Sequence, residues 1–356
     1  MREVRWEQVV ARRLARSRLD RRAPAEELVA VVRETCGVHA QLESGAELAI
    51  SARVEGVTRD DVREALWESR ALVKASTLRT TLHLHPADEI ALWKSAYPPR
   101  ASEAAWRKWQ ELTEDDVAQL RETVLAALDD GEPRTRNEIG AAVGGAFGAR
   151  IAADSWGHLL APSADLLCHG PPRGRNATFV RCDRWIAGWR AVDPADGLVE
   201  ASRRYLDAYG PARRDELEHW LARRLPDGAF AALELEEVDV DGRTSLALAG
   251  TELPDAAPSG VRLLSHYDVY VVGCHPRELL IPEERTRIFH GGAGPNPALL
   301  VNGVVAGTWR REKRGRRMEI RVEPFRRLTA AQRRALAAEA ARVAAWYGAD
   351  PVLELL

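Results

Sequence analysis

The chain has 356 residues, of which 46% are hydrophobic and 29% charged, and its formal net charge is −2. This length is too great for one hydrophobic core and predicts two or three compact units. No apolar run reaches the eighteen residues needed to cross a membrane, and the first residues lack the apolar core of a signal peptide. Four scattered cysteines without C-x-x-C pairing predict reduced thiols, so we expect a cytoplasmic protein.

The first hundred residues show several helical segments followed by a β-rich one. Apolar spacing predicts helices over 4–19 and 24–36, a short element over 46–54, and a capped helix over 58–69. The β-branched segment 72–85, which alternates from Leu78, predicts strands. Helices followed by a short β-ribbon are typical of a winged helix.

The same order recurs twice. The second occurrence has a helix from Thr113 and a β-ribbon that turns at 170–174. The third has strands over 235–240 and 244–248 that are joined at Asp241-Gly242. We therefore predict an α+β fold, mainly α, with three tandem winged-helix units and a β-rich C-terminal part. The predicted boundaries are 1–98 for the first winged helix, 99–193 for the second, 194–258 for the third and 259–356 for the C-terminal part.

The C-terminal part combines predicted strands with a closing helix. Strands are predicted at 263–264, 269–272, 298–302, 304–309 and 316–323, with Asn302-Gly303 as a hairpin turn and a helix over 329–346. The hairpin around Gly315 is strongly basic, which suits contact with phosphates or a narrow minor groove, although a solvated hairpin is the alternative. The basic residues of this hairpin are Arg310, Arg311, Lys313, Arg314, Arg316 and Arg317.

A second candidate site begins where the 24–36 helix breaks at Gly37. Two side chains able to hold a water, His39 and Gln41, follow two positions apart. On a regular helix they would point to opposite sides, whereas an extended backbone would aim both at one spot. A plain loop is the alternative interpretation.

Other chemistry-bearing residues are fewer. Asp268, in His266-Tyr267-Asp268, could polarise a water, orient a base or only cap a strand. His83 and His85 have the spacing of strand-borne metal ligands, but no further ligands complete a set, so we expect packing and no metal. No nucleotide-binding glycine motif and no Gly-x-Ser-x-Gly elbow occurs, and we expect no cofactor.

Several segments occur in the order seen in one family. They are Val-His-Ala-Gln at 38–41, Leu-Val-Lys at 72–74, Leu-Arg-Thr-Thr-Leu-His-Leu at 78–84, Tyr-Gly-Pro-Ala at 209–212 and Leu-Leu-Val-Asn-Gly-Val-Val-Ala-Gly-Thr-Trp-Arg-Arg at 299–311. The sequence resembles, over nearly its whole length, the tandem winged-helix DNA glycosylases of the AlkZ and YcaQ type, and is closer to AlkZ.

The resemblance implies a C-shaped channel for duplex DNA and a Gln-Φ-Gln or Gln-Φ-Asp motif, with Φ apolar, that positions the hydrolytic water. Gln41 matches the second polar position and Ala40 the apolar one, whereas His39 stands where a glutamine is usual. An imidazole can accept a proton near pH 7, which an amide cannot. Arg79 lies in a matching segment and joins the predicted DNA contacts.

The resemblance therefore predicts a monofunctional DNA glycosylase, active as a monomer on double-stranded DNA with N7-alkylated purines, including bulky adducts or interstrand crosslinks. Its role would be DNA repair or self-resistance to a genotoxin. His39 and Gln41 are the predicted catalytic residues, and Asp268 and His266 are possible supports. The alternative is a winged-helix DNA-binding protein without catalysis, either a regulator or a lesion binder.

Overall fold

The computed structural model of the protein describes residues 1–97, 107–108, 111–151, 155–159, 166–282, 284–289 and 295–356. In these residues the helices are α1 Trp6–Arg16, α2 Leu28–Glu34, α3 Glu43–Ser51, α4 Arg59–Trp67, α5 Ile90–Ser95, α6 Glu114–Ala126, α7 Arg136–Phe147, α8 Trp156–Leu159, α9 Cys182–Trp185, α10 Pro194–Tyr209, α11 Arg214–Leu221, α12 Asp227–Ala231, α13 Val269–Gly273, α14 Arg277–Leu280, α15 Arg285–Ile288 and α16 Ala330–Trp346. The strands are β1 Arg2–Val4, β2 Val38–His39, β3 Leu72–Ser76, β4 Leu82–Pro86, β5 Arg134–Thr135, β6 Leu167–Arg173, β7 Asn176–Arg181, β8 Leu235–Val240, β9 Arg243–Leu248, β10 Val261–Leu264, β11 Ala298–Val301, β12 Val304–Arg314, β13 Arg317–Pro324 and β14 Asp350–Leu355. Helices and sheets are mixed along the chain, as the sequence predicts.

The chain forms two compact units. The first combines Met1–Val62 with Ser202–Leu356, and the second is Arg63–Ala201. The predicted division into three winged helices and a C-terminal part stays a prediction, and its first boundary, 98/99, lies outside the described residues. Of the described helices, none is long and apolar enough to span a bilayer.

A five-stranded sheet in the order β10-β11-β12-β13-β14 dominates the first unit. The long antiparallel pair β12–β13 forms its centre, and β14 joins β13 in parallel. Trp309, Ile320 and Val322 of this pair are buried in one apolar cluster with Leu336 and Val343 of α16. The helix α16 therefore covers one face of the sheet.

The second unit contains two hairpins. β3 pairs antiparallel with β4, and β6 pairs antiparallel with β7, which also takes up β5. Val73, Ile90 and Val180 are buried together between them. His85 is fully buried on β4, where its Nε2 lies 2.8 Å from the hydroxyl of Thr77 and its ring stacks on a tryptophan.

Both predicted two-residue turns are confirmed. Asp241-Gly242 and Asn302-Gly303 have positive φ at both positions, as a type I′ hairpin turn requires. The predicted turn at 170–174 is wrong in extent, because β6 continues to Arg173 across a bulge and the chain turns only after it. The predicted alternation from Leu78 is also wrong, because residues 78–80 form a 3-10 turn between β3 and β4.

The predicted strand at 269–272 is a helix, α13. Val269, Tyr270 and Val271 are all buried, and a short run that is buried on every side gives no periodicity that separates helix from strand. Asp268 caps this helix by accepting a hydrogen bond from the Tyr270 N–H at 3.0 Å. The strands β1 and β14 were not predicted.

Candidate active site

The motif residues follow a helix that ends in a Schellman turn. Cys36 and Gly37 both have positive φ, and the Gly37 N–H donates to the carbonyl of Val32 at 2.9 Å while the Cys36 N–H donates to Arg33. This turn closes α2 and sends the chain into the extended pair Val38–His39. The predicted break at Gly37 is therefore confirmed, with an extended backbone after it.

His39 and Gln41 lie together on this extended segment. The His39 side chain is buried, with the whole residue 9% exposed, whereas Gln41 is exposed. The backbone N–H of Gln41 donates to Nδ1 of His39 over 3.4 Å. Because Nδ1 accepts this bond, the proton of the neutral imidazole is on Nε2. Ala40 between them is buried and anchors the segment.

A tyrosine that the sequence did not single out supports the His39 ring. Tyr267 stacks on His39 with ring centroids 4.6 Å apart and planes 16° from parallel. Its backbone has a φ of 58°, which is unfavourable for an aromatic residue. The Tyr267 N–H donates to the carbonyl of Pro295 at 3.0 Å, which helps to hold this turn. Only the fold brings residue 267 to residue 39.

Asp268 is held by a buried arginine. Arg53 donates two hydrogen bonds to the two carboxylate oxygens, at 2.7 and 2.9 Å, and both side chains are completely buried. Its carboxylate also caps α13. The charge of Asp268 is thus balanced by Arg53, and its contribution to catalysis stays a prediction. Through these bonds Asp268 fixes the turn that carries Tyr267.

His266 and the first residues of the basic hairpin line the same cavity, which has a volume of about 700 Å³. The lining includes His266, Trp309, Arg310, Arg311 and Arg321. Partial burial, and then the nearby Arg311 charge, lowers the pKa of His266 below its usual 6.5. This imidazole is therefore neutral at pH 7. The ring of His266 lies 6.1 Å from that of Tyr267, so the turn at 266–268 joins this cavity to the His39 stack.

The hairpin β12–β13 carries the predicted DNA-contact residues. Its strands pair up to Arg314 and Arg317, and Gly315 supplies the positive φ of the turn. The buried Trp309 donates from its indole nitrogen to the carbonyl of Leu264 at 2.8 Å, which fixes the base of the hairpin to β10. Beyond Trp309 the hairpin stays part of the five-stranded sheet, because β14 pairs along β13 from Arg317 onwards, and it carries a row of exposed basic side chains.

These basic side chains differ in how far they are neutralised. Arg314 forms ion pairs with Glu312 at 3.0 Å and Glu319 at 3.4 Å. Arg311 lies over the ring of Tyr347, and Lys313 donates to the carbonyl of the same residue at 2.7 Å. Arg310 interacts electrostatically with Glu312, and the exposed arginines with no acidic partner among the described residues are Arg316 and Arg317.

Arg79 belongs to the second unit. It lies half-buried in the turn between β3 and β4, with a φ of 51°, and not on a strand. The nearby His83 bonds through Nδ1 to the carbonyl of Thr81 at 3.0 Å, and its ring lies 5.8 Å from that of His85. These contacts are those of packed strand histidines.

Comparison with known proteins identifies the family. A model of the family described as DNA glycosylase AlkZ-like matches residues 32–346. The interstrand DNA cross-link repair glycosylase of Streptomyces sahachiroi is 31% identical over 334 residues, which cover 85% of this chain and 87% of that protein. The solved structure of Streptomyces sahachiroi DNA glycosylase AlkZ matches with a TM-score of 0.84 and 28% identity, over 99% of this chain and 100% of the other. The predicted family and enzyme class are confirmed: the chain belongs to the AlkZ-like DNA glycosylases.

Proposed function

We propose that this DNA glycosylase hydrolyses the N-glycosidic bond of N7-alkylated purines in duplex DNA, as a monomer, and that His39 and Gln41 hold the attacking water. The observation that carries the proposal is the His39-Ala40-Gln41 segment, in which a buried imidazole stacked on Tyr267 accepts a hydrogen bond from the backbone N–H of the exposed Gln41. Bulky adducts and interstrand crosslinks are included, because the similar Streptomyces protein is named a cross-link repair glycosylase.

The reaction needs little acid catalysis. An N7-alkylated purine is cationic, so it leaves with the electron pair of the glycosidic bond and becomes neutral, while positive charge develops on the sugar. Water then forms the new bond to C1′ and loses a proton. In the tautomer that the Gln41 N–H favours, His39 donates a hydrogen bond from Nε2 to the oxygen of that water, and the amide oxygen of Gln41 accepts a hydrogen bond from the water. The proton that the water loses on forming the bond to C1′ passes to bulk solvent. This arrangement makes His39 a water-positioning group.

DNA binding is assigned to the basic hairpin. Arg310, Arg316 and Arg317 are exposed, and Arg316 and Arg317 carry charge that no described acidic residue neutralises. Guanidinium groups on a projecting turn suit phosphate contact and insertion into a narrow groove. The proposal includes the predicted winged-helix units and DNA channel, supported by the order of helices and hairpins in the chain.

The central test is base release from duplexes that contain N7-methylguanine or a bulkier N7 adduct. Wild-type protein should create abasic sites, and the double variant His39→Ala/Gln41→Ala should create none. A wild-type rate no higher than that of the double variant would refute the proposal and favour a non-catalytic DNA-binding protein. A crosslinked duplex in the same assay shows whether crosslinks are opened.

The variant His39→Gln separates two roles for the imidazole. It restores the Gln-Φ-Gln pattern of the family and can still donate to a water, but it cannot take up a proton at neutral pH. If His39 positions water, the variant should keep activity within about tenfold, which corresponds to roughly 1.4 kcal/mol of barrier. A larger loss, together with a pH profile that becomes flat between pH 5 and 8, would instead show general-base catalysis.

A further inference from the structure

An unusual charge cluster lies in the first unit, on the α16 side of the five-stranded sheet. Glu339 of α16 is buried and is surrounded by three guanidinium groups. Arg22 forms an ion pair with it, Arg342 bonds to it at 3.2 Å, and Arg262 lies 3.9 Å away. Asp20 adds a second negative charge near Arg262, so three cations share two carboxylates. Burial, with repulsion among these arginines, lowers the pKa of Arg262 and of Arg342, as expected of crowded cations.

Two of these arginines open into a cavity of about 340 Å³. Arg22, Arg342 and a third arginine, Arg59, line it together with the hydroxyl-bearing residues Ser51 and Thr58. Arg342 donates to the Ser51 hydroxyl at 3.0 Å. One carboxylate, on an exposed glutamate at position 55, also lines the cavity. The lining thus presents three guanidinium groups and two hydroxyls, with Glu55 as its own carboxylate, while Glu339 and Glu47 pair with the three arginines from outside the lining.

Arg59 is the accessible arginine of the three. Its guanidinium is paired at 2.8 Å with Glu47, which is almost completely buried on α3, while the Arg59 side chain itself is 41% exposed. The carboxylate of Glu47 therefore holds Arg59 at the cavity through its Nε, while the Arg59 side chain stays partly exposed. Planar guanidinium groups held in this way suit the oxygens of a phosphate.

The cavity adjoins both parts of the proposed DNA site. Tyr347 follows Trp346 of the cavity lining, and the hairpin residues Arg311 and Lys313 contact Tyr347 on its ring and its carbonyl. Arg59 is close enough to Tyr347 to influence its pKa. The helix α3, which starts just after Gln41 and ends at the cavity, is about 13 Å long. This distance is about two phosphate spacings along a strand.

We propose that this cavity binds a phosphate group of the DNA backbone and so extends the contact surface of the hairpin. The inference rests on the DNA-binding part of the proposed function. It does not depend on the identity of the base that is released.

The test measures how binding to an undamaged duplex depends on salt. For Arg59→Gln the magnitude of the slope of log K against log salt concentration should fall, but by less than the value of about 0.9 for one contact of an unpaired cation, because Glu47 already pairs with Arg59. The matched control is Arg334→Gln, an exposed arginine of α16 outside the cavity lining, which should leave the slope unchanged. An unchanged slope for Arg59→Gln, or an equal fall in both variants, would overturn the inference.

Because Arg59→Gln leaves Glu47 buried without its ion pair, two further variants keep the test valid. Glu47→Gln removes the acid and should strengthen duplex binding, and Glu47→Gln/Arg59→Gln should reproduce the fall in slope in a protein without that buried charge. A purely structural role for the pair predicts no gain in binding for Glu47→Gln. That result would also count against the inference.

Inorganic phosphate distinguishes the source of the ligand. If phosphate raises the melting temperature of the wild type but not of Arg59→Gln, while the duplex slope is the same for both, the cavity is a site for free anions and the DNA assignment is wrong. Base release is measured separately on the same proteins. A wild type that releases no base but shows the Arg59 effect would refute the proposed activity and leave this inference standing.

Discussion

The buried pair of Arg53 and Asp268 gives the sharpest prediction about the active-site turn. We consider Asp268→Asn, which removes the negative charge but keeps an oxygen able to cap α13 through the Tyr270 N–H. Arg53 would keep its bond to the carbonyl of Ala49 at 2.9 Å and lose both charge-assisted bonds. Asp268→Asn therefore tests the role of the carboxylate charge separately from the role of the side chain as the cap of α13.

Both side chains are completely buried, so the unpaired guanidinium cannot regain water without opening the core. Breaking a buried ion pair by removing one partner costs about 3–5 kcal/mol. For a folded unit of about 200 residues, this loss lowers the melting temperature by about 6–20 °C. Removing both charges, in Arg53→Met/Asp268→Asn, should recover most of the loss, because an apolar replacement leaves no buried charge unpaired.

Thermal unfolding of the two single variants and of the double variant completes a double-mutant cycle. Base release, measured at a temperature below the unfolding transition, gives the activity of the folded protein. We expect the double variant to be nearly as stable as the wild type and to release base at a similar rate. A double variant as unstable as Asp268→Asn would refute the ion-pair reasoning. A stable but inactive double variant would show that the carboxylate itself acts in the reaction.

Three other predictions concern the ring stack, two buried histidines and the hairpin. Tyr267→Ala should reduce turnover about two- to tenfold with little change in KM, whereas Tyr267→Phe should keep the wild-type turnover. An equal loss of turnover in both variants, measured in steady-state assays, would exclude the ring stack as the cause. Burial lowers the pKa of His85 and of His275 to about 3, so the stability that they contribute is complete above pH 6.5 and is lost as the pH falls towards 3. Urea unfolding should show a loss of about 2 kcal/mol per histidine at pH 5, and equal stability at pH 5 and 7 would contradict this. Arg316→Gln should lower the magnitude of the salt slope of duplex binding by about 0.9, and Arg314→Gln by less, because acidic neighbours already neutralise Arg314.

The sequence was most informative where local chemistry determines the backbone. The break at Gly37, the turns at 241–242 and 302–303, and the helix that Thr329 caps were all predicted from residues within one turn of each feature. The helix at 269–273 was missed because its apolar residues are buried on every side, and burial of that kind depends on the rest of the fold.

The candidate site was predicted only in part, for a related reason. His39 and Gln41 are neighbours in sequence, so their spacing alone suggested a shared site. Tyr267 and Arg53 act on that site from 228 and 14 positions away from His39, and no local pattern connects them. Their contribution is visible only after the turn at 266–268 is placed against the segment 38–41.

The charge distribution explains how a chain with a formal net charge of −2 can bind DNA. Long-range attraction of the whole molecule is weak at this net charge, and at physiological salt it is screened beyond about 8 Å. The affinity must then come from local contacts between the DNA and individual cations. In the hairpin the exposed arginines with no described acidic partner are Arg316 and Arg317, whereas Glu312 and Glu319 pair with Arg314. Within the hairpin, the number of unpaired arginines therefore measures the DNA contact better than the number of basic residues in the sequence.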